Sequence, residues 1–227
     1  MVVGYACLQV AVGKEIEAPC ERAAYAVSGY MDTLGLEACG KEHAERTVGL
    51  VRIDGGLAVY DDCAERLDIH SLDGLGRCLT KKLRTHAVGV MRAGGGMLLR
   101  LYYDGFLRDT YLASSQEFRS KTGMRCVCHG HPIRWRCQMA EGGSRELGDA
   151  FRRGGELGEA VYPELKQLLG LRDTADYGFS SIESSGLQDV IYMYFCASNR
   201  VRQGLLARLI RPVRQAASAV GAFFAGR

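Results

Sequence analysis

Three glycine turns divide the middle of the chain into apolar runs of strand length. Asp54-Gly55-Gly56 separates residues 47–53 from 57–60, Gly94-Gly95-Gly96 separates 87–91 from 97–103, and Asp104-Gly105 separates 97–103 from 106–112. Asp-Gly and Gly-Gly tolerate the positive φ of two-residue hairpins, and such hairpins join only antiparallel strands. Alternation in Met97-Leu98-Leu99-Arg100-Leu101-Tyr102 and Leu107-Arg108-Asp109-Thr110-Tyr111 fits the two-residue period of strands with two distinct faces. These turns exclude a fold made only of parallel strand–helix–strand units.

The flanking pattern extends the sheet. Residues 2–12 read as a mostly buried strand. Residues 17–36 carry helical spacing through Ala23, Ala24, Val27, Tyr30, Met31 and Leu34, with Gly35 as a stop signal. Ser71 is placed to cap a helix whose apolar side includes Leu72, Leu75, Cys78, Leu79 and Leu83. The first half therefore reads β-α-β-β-α-β-β-β. The expected fold class is α+β: a mainly antiparallel sheet with helices packed on one face, a smaller helical and hairpin region, and a basic amphipathic C-terminal helix. The expected divisions are a sheet domain at 1–118, an irregular basic Cys/His-containing connection at 119–143, a helical and hairpin region at 144–198, and a tail at 199–227. Within the third, residues 144–153 and 156–169 read as helices, Pro163 starting or kinking the second, and 177–183 with 190–196 as a final strand pair.

With 227 residues, 47% of them hydrophobic and 24% charged, the chain can bury an ordinary core, which excludes wholesale disorder and a multi-spanning membrane protein. A formal net charge of +3 is too small to mark a nucleic-acid binder. The charge is lopsided: residues 1–118 carry 13 basic and 16 acidic side chains, whereas 119–140 and 190–227 contain no acid at all. Nine cysteines, an odd number and most of them set singly in apolar stretches, fit a reducing compartment better than a disulfide framework. Residues 2–12 lack the basic lead and cleavage pattern of an export signal, so the expected address is cytoplasmic, with attachment at a membrane periphery as an option.

Several pieces resemble an uncharacterised group of bacterial α+β proteins. They are Val59-Tyr60-Asp61, Ala87-Val88, the hairpin around Leu101-Tyr102-Tyr103-Asp104-Gly105, then Asp109, Tyr111, Ser114-Ser115 and Phe118, and farther on Glu141-Gly142-Gly143, Leu168-Leu169-Gly170-Leu171 and Phe179. The similar pieces lie within about 58–184. The group carries polar, acidic residues between its fourth and fifth strands, where this chain has Arg92-Ala93-Gly94-Gly95-Gly96. The resemblance implies the fold and no activity.

Four segments could carry chemistry. Cys126, Cys128, His129, His131 and Cys137 offer five zinc-type ligands in twelve residues, but in C-x-C-H-x-H spacing. An extended backbone would point the two cysteines one way and the two histidines the other, so one metal needs a sharp turn at Gly130-His131-Pro132. The same segment sets Arg119, Lys121, Arg125, Arg134 and Arg136 around the sole tryptophan, Trp135, as a stacking surface for single-stranded nucleic acid would. Asp61, Asp62, Asp68, His70 and Asp73 cluster between a strand end and a helix start, where carboxylates either bind a cation or satisfy exposed backbone amides. Gly94-Gly95-Gly96 leads into a strand, so it is a turn and not a phosphate cradle.

The tail is the fourth segment. Residues 200–227 hold six arginines and no acid, and Arg202, Leu205, Leu206, Arg208, Leu209, Arg211 and Arg214 form a hydrophobic stripe edged by guanidinium. That stripe suits a partner helix or an anionic membrane surface, the alternative being that the tail simply packs back on the protein's own sheet. The resulting expectation is a non-catalytic interaction or regulatory protein recruited through this tail. A protein partner comes first, an anionic membrane second, and nucleic acid is disfavoured. No cofactor is expected. The alternatives are a zinc- or nucleic-acid-binding module on residues 126–137 and an enzyme with its site near residues 61–73.

Overall fold

A computed structural model describes residues 4–13, 16–124, 128–139, 143–182 and 189–198. The tail, with Arg202 through Arg214, and Cys126 lie outside the described residues. Among the described residues eight strands form one sheet in which every pairing is antiparallel, so the chain is α+β as expected. The strands are β1 Tyr5–Ala11, β2 Leu36–Ala38, β3 Arg46–Ile53, β4 Gly56–Asp61, β5 His86–Ala93, β6 Gly96–Tyr103, β7 Phe106–Ala113 and β8 Ile191–Ala197. Their order across the sheet is β2-β8-β3-β4-β1-β5-β6-β7. The glycine turns sit where the sequence puts them. Gly94 and Gly95 take φ of 54° and 77°, and Asp104 and Gly105 take 47° and 82°.

One face of the sheet is covered by α1 Pro19–Thr33 and α3 Ile69–Leu83, the two expected helices. Ala6, Leu8 and Val10 of β1, Leu98 and Tyr102 of β6, and Leu72, Leu75 and Leu79 of α3 interdigitate there, all nearly inaccessible to solvent. The short helix α2 Asp62–Glu65 precedes α3. The N-cap of α3 is Asp68 and not Ser71: the Asp68 carboxylate accepts from the His70 amide at 3.0 Å and from the Ser71 hydroxyl at 2.6 Å. An acid two residues from that amide outcompetes a serine already inside the first turn.

The connection expected to be irregular begins inside a helix, α4 Gln116–Thr122, capped by the Ser115 hydroxyl on the Phe118 amide and anchored by buried Phe118. Only one side chain of α4 is buried, which is why periodicity did not reveal it. The next segment packs on the opposite face of the sheet. It comprises α5 Ser144–Leu157, α6 Tyr162–Leu168 with Pro163 in its first turn, and α7 Phe179–Ile182. Leu147, Ala150, Phe151 and Leu165 close a second core over Val88, Val90, Leu99 and Leu101.

The expected terminal strand pair does not form. Phe179–Ile182 is helical, and β8 instead enters the main sheet between β2 and β3, with Thr47 opposite Tyr194 and Glu37 opposite Cys196. Residues of the 144–198 region thus complete the sheet begun by 1–118. A lone strand pair would have left one apolar face of β8 in water, and insertion buries Phe195 instead.

Candidate functional site

The β6–β7 hairpin carries a bulge: Leu101 pairs with Asp109 and Tyr102 with Leu107, leaving Arg108 as the extra residue on the edge strand. The bulge turns Arg108 outward, its guanidinium carbon 5.5 Å from the Tyr103 ring centroid and 5.2 Å from that of Phe106. Both rings are exposed, Phe106 at 59%. Asp109 turns inward, on the same side as Tyr111.

The chain returns to β7 along residues 128–131. The Leu112 amide donates to the Cys128 carbonyl at 2.7 Å, and Tyr111 forms an isolated antiparallel bridge with His129. Gly130 then takes φ of 69°, supplying the turn required before Pro132, and a Cβ there would meet the Phe151 ring at 2.7 Å. A 3₁₀ turn, Pro132–Trp135, follows.

Between β7 and this returning segment lies a groove of about 470 Å³. Leu107, Arg108, Asp109 and Thr110 form one wall, and Cys128, His129, Gly130, His131 and Arg134 the other. The Asp109 carboxylate holds the two walls together. Its Oδ2 accepts from the Trp135 indole N–H at 2.7 Å and from the His131 amide at 2.5 Å. Arg134 donates to the Arg108 carbonyl at 3.1 Å and stands 3.8 Å from Asp109 Oδ1. Beneath these residues Tyr111 stacks on Phe151 with centroids 4.2 Å apart, and Trp135 meets Phe151 edge-on at 5.8 Å.

Trp135 has 0% exposure and spends its one donor on Asp109, so it is not the stacking platform the sequence suggested. Packing under Phe151 removed from solvent a ring that the surrounding arginines had marked as a contact surface. Of the proposed zinc ligands, Cys128, His129 and His131 line the groove, whereas Cys137 lies beyond Trp135 with its thiol against the Arg134 carbonyl. Among the described residues the one cluster of three or more candidate ligands is Asp61, Asp62 and Cys63. Cys128, His129, His131 and Cys137 form no such set.

The acidic segment disperses into separate structural duties. Asp61, 3% exposed, pairs with Arg46 through Nε at 3.0 Å and Nη2 at 2.7 Å, and accepts the Cys63 amide at 3.3 Å. Burial raises the Asp61 carboxyl above its usual range, while Arg46 and the Cys63 amide oppose that rise. Asp62 accepts the Thr47 amide, and Asp68 caps α3. Asp73 takes the Tyr102 hydroxyl at 2.7 Å and an ion pair with Arg100. His70 is exposed at the start of α3. With Asp61 already held in a two-point ion pair, the cluster of Asp61, Asp62 and Cys63 has its central carboxylate occupied by a cation of the chain itself.

Across the sheet, Cys7 sits wholly buried beside Tyr60, and burial pushes its thiol up to about 12, far from a nucleophile at neutral pH. The groove residue that sequence reading missed is Asp109. Its signal was available: in Leu107-Arg108-Asp109-Thr110-Tyr111 the acid shares its side of the strand with Tyr111, an inward position where only a paired carboxylate survives. No described helix is long and apolar enough to cross a membrane. Comparison with family models, curated proteins and solved structures found no match to this chain.

Proposed function

We propose that the chain is a non-catalytic interaction protein that holds an acidic segment of a protein partner in the groove beside β7. One observation carries this reading: Arg108 and Arg134 are cationic groups on opposite walls, while the one carboxylate lining the groove is buried and engaged with Trp135 and His131. Two arginines against one carboxylate leave the groove lining net positive by one charge, with Arg134 standing 3.8 Å from Asp109 Oδ1 and Arg108 on the opposite wall. Exposed Tyr103, Phe106 and Ile133 beside it give the aromatic, apolar and arginine mixture found where binding energy concentrates. The chain's own tail is acid-free and carries the same sign of charge, so it does not complement the groove.

The test is fluorescence anisotropy of the full chain against a labelled array of 12-residue peptides, acidic, neutral and basic, with and without aromatic positions. Acidic peptides should bind, weaken as salt rises, and lose at least tenfold in affinity to R108E/R134E. Equal affinity of wild type and that variant for every peptide bound, or a preference for basic peptides, would refute the reading.

A further inference from the structure

At the far end of the sheet from the groove, two thiols face each other across β2 and β8. Glu37 stands opposite Cys196 and Ala38 opposite Phe195, and the next residue, Cys39, donates its amide to the Tyr194 carbonyl at 3.0 Å. Alternation therefore puts Cys39 on the same side of the sheet as Glu37 and Cys196, as a diagonal cross-strand pair. Cys196 is near enough to act on the Cys39 thiol and help push it up. Both are free, Cys196 buried and Cys39 half-buried.

We infer that Cys39 and Cys196 are a reversible oxidation site, closed to a disulfide by a peroxide-class two-electron oxidant. The geometry assigns the order of events. Cys39, the more accessible sulfur, attacks the peroxide as thiolate, breaking the O–O bond and giving a sulfenic acid and water. The Cys196 sulfur then attacks the Cys39 sulfur, the S–S bond forms, and hydroxide leaves to be protonated to a second water. Two thiols and one hydrogen peroxide thus give one disulfide and two waters, with two electrons passing to oxygen.

The backbone can accommodate the bond because β2 has only three residues and Cys39 lies just past its end. β8 ends at Ala197, and the next amide, that of Ser198, is held by the Gly35 carbonyl at 2.9 Å. A closed pair would fasten the end of β8 to the residue that follows β2. Desolvation, the neighbouring Cys196 and the charges of Glu42 and Glu45 push the Cys39 thiol up to about 11. The pair is consequently a slow site that responds to sustained oxidant, and its closure should quicken about tenfold per pH unit between pH 7 and 9.

The full chain is treated with hydrogen peroxide under native conditions, quenched with iodoacetamide and digested with trypsin. Tryptic peptides 23–41 and 173–200 contain one cysteine each, so a link between them assigns the bond without ambiguity. The expected result is that linked pair, with a loss of ~2 Da, reopened by dithiothreitol and absent in C39S. A C20S control should close as wild type does. Over-oxidation of Cys39 with Cys196 left alkylated, a different cysteine pair as the main product, or closure at the same rate at pH 7 and 9 would each overturn the inference. Because the mapping is made on wild type, it does not depend on the folding of any variant.

Discussion

Replacing Asp109 with alanine tests the groove at the point that holds its walls together. The substitution removes the acceptor of two donors, the Trp135 indole N–H and the His131 amide. Trp135 is fully buried, so its N–H finds no water in exchange. Hydrogen bonds to a charged acceptor contribute about 1.5–3 kcal/mol each, and stranded buried donors cost a similar amount, so D109A should destabilise the fold by about 3–5 kcal/mol. For a chain of this size that is a fall in Tm of roughly 6–20 °C. D109N keeps one acceptor oxygen without the charge and should lose only about 1–2 kcal/mol.

The assay is urea unfolding followed by tryptophan emission, which here reports one site because Trp135 is the only tryptophan. Far-ultraviolet dichroism run in parallel checks that the two probes move together. The alanine variant should also shift the native emission as the 3₁₀ turn loosens from β7. A D109A midpoint within about 1 kcal/mol of wild type, with emission unchanged, would show that the carboxylate does not hold the indole.

Three further outcomes follow from the packing. Breaking the buried Arg46–Asp61 pair by D61A should cost about 3–5 kcal/mol because it strands a guanidinium, whereas R46M/D61L should recover most of that loss in the same urea titration. Burial lowers the pKa of His86 in β5 from its ordinary 6.5, so the unfolded chain takes up the proton first. The His86 contribution is therefore present above pH 6.5 and lost as pH falls through it, and H86Q should flatten the decline in Tm between pH 7.5 and 5.5. Finally, G76A should destabilise by about 1–3 kcal/mol, since its Cβ would lie 2.6 Å from the Tyr102 ring. G29A, in α1 with nothing within 4 Å of the new methyl, should stabilise by about 0.5–1 kcal/mol. Thermal melts of the two alanine variants against wild type decide both signs.

The sheet's central hairpins were legible because their information is local. Asp104-Gly105 and Gly94-Gly95 declare a turn within a few residues, and α1 and α3 declare themselves through apolar spacing. What stayed hidden depends on distant partners. Tyr177, Phe179 and Tyr192 have the aromatic look of a strand pair, yet Phe179 and Tyr192 meet edge-on from a helix and a strand, with centroids 6.4 Å apart. The position of β8 is set by the unfilled edge of β3, some 140 residues earlier, and no local pattern encodes that. The candidate site divides the same way. Cys128, His129, His131 and Arg134 were flagged for their residue types, but which of them share a groove was decided by Asp109 and the Tyr111–His129 bridge. Trp135 was misread because exposure, unlike residue type, belongs to the partner surface.

The interior place of β8 has a bearing on synthesis. A chain emerging from its N-terminus can complete β1, β3, β4, β5, β6 and β7 through neighbours already made, but β2 and the outer side of β3 must wait for residues 191–197. Until then the nascent protein presents the unpaired backbone of β3, an invitation to pair with another copy. Truncation anywhere before Ile191 would make that vulnerability permanent.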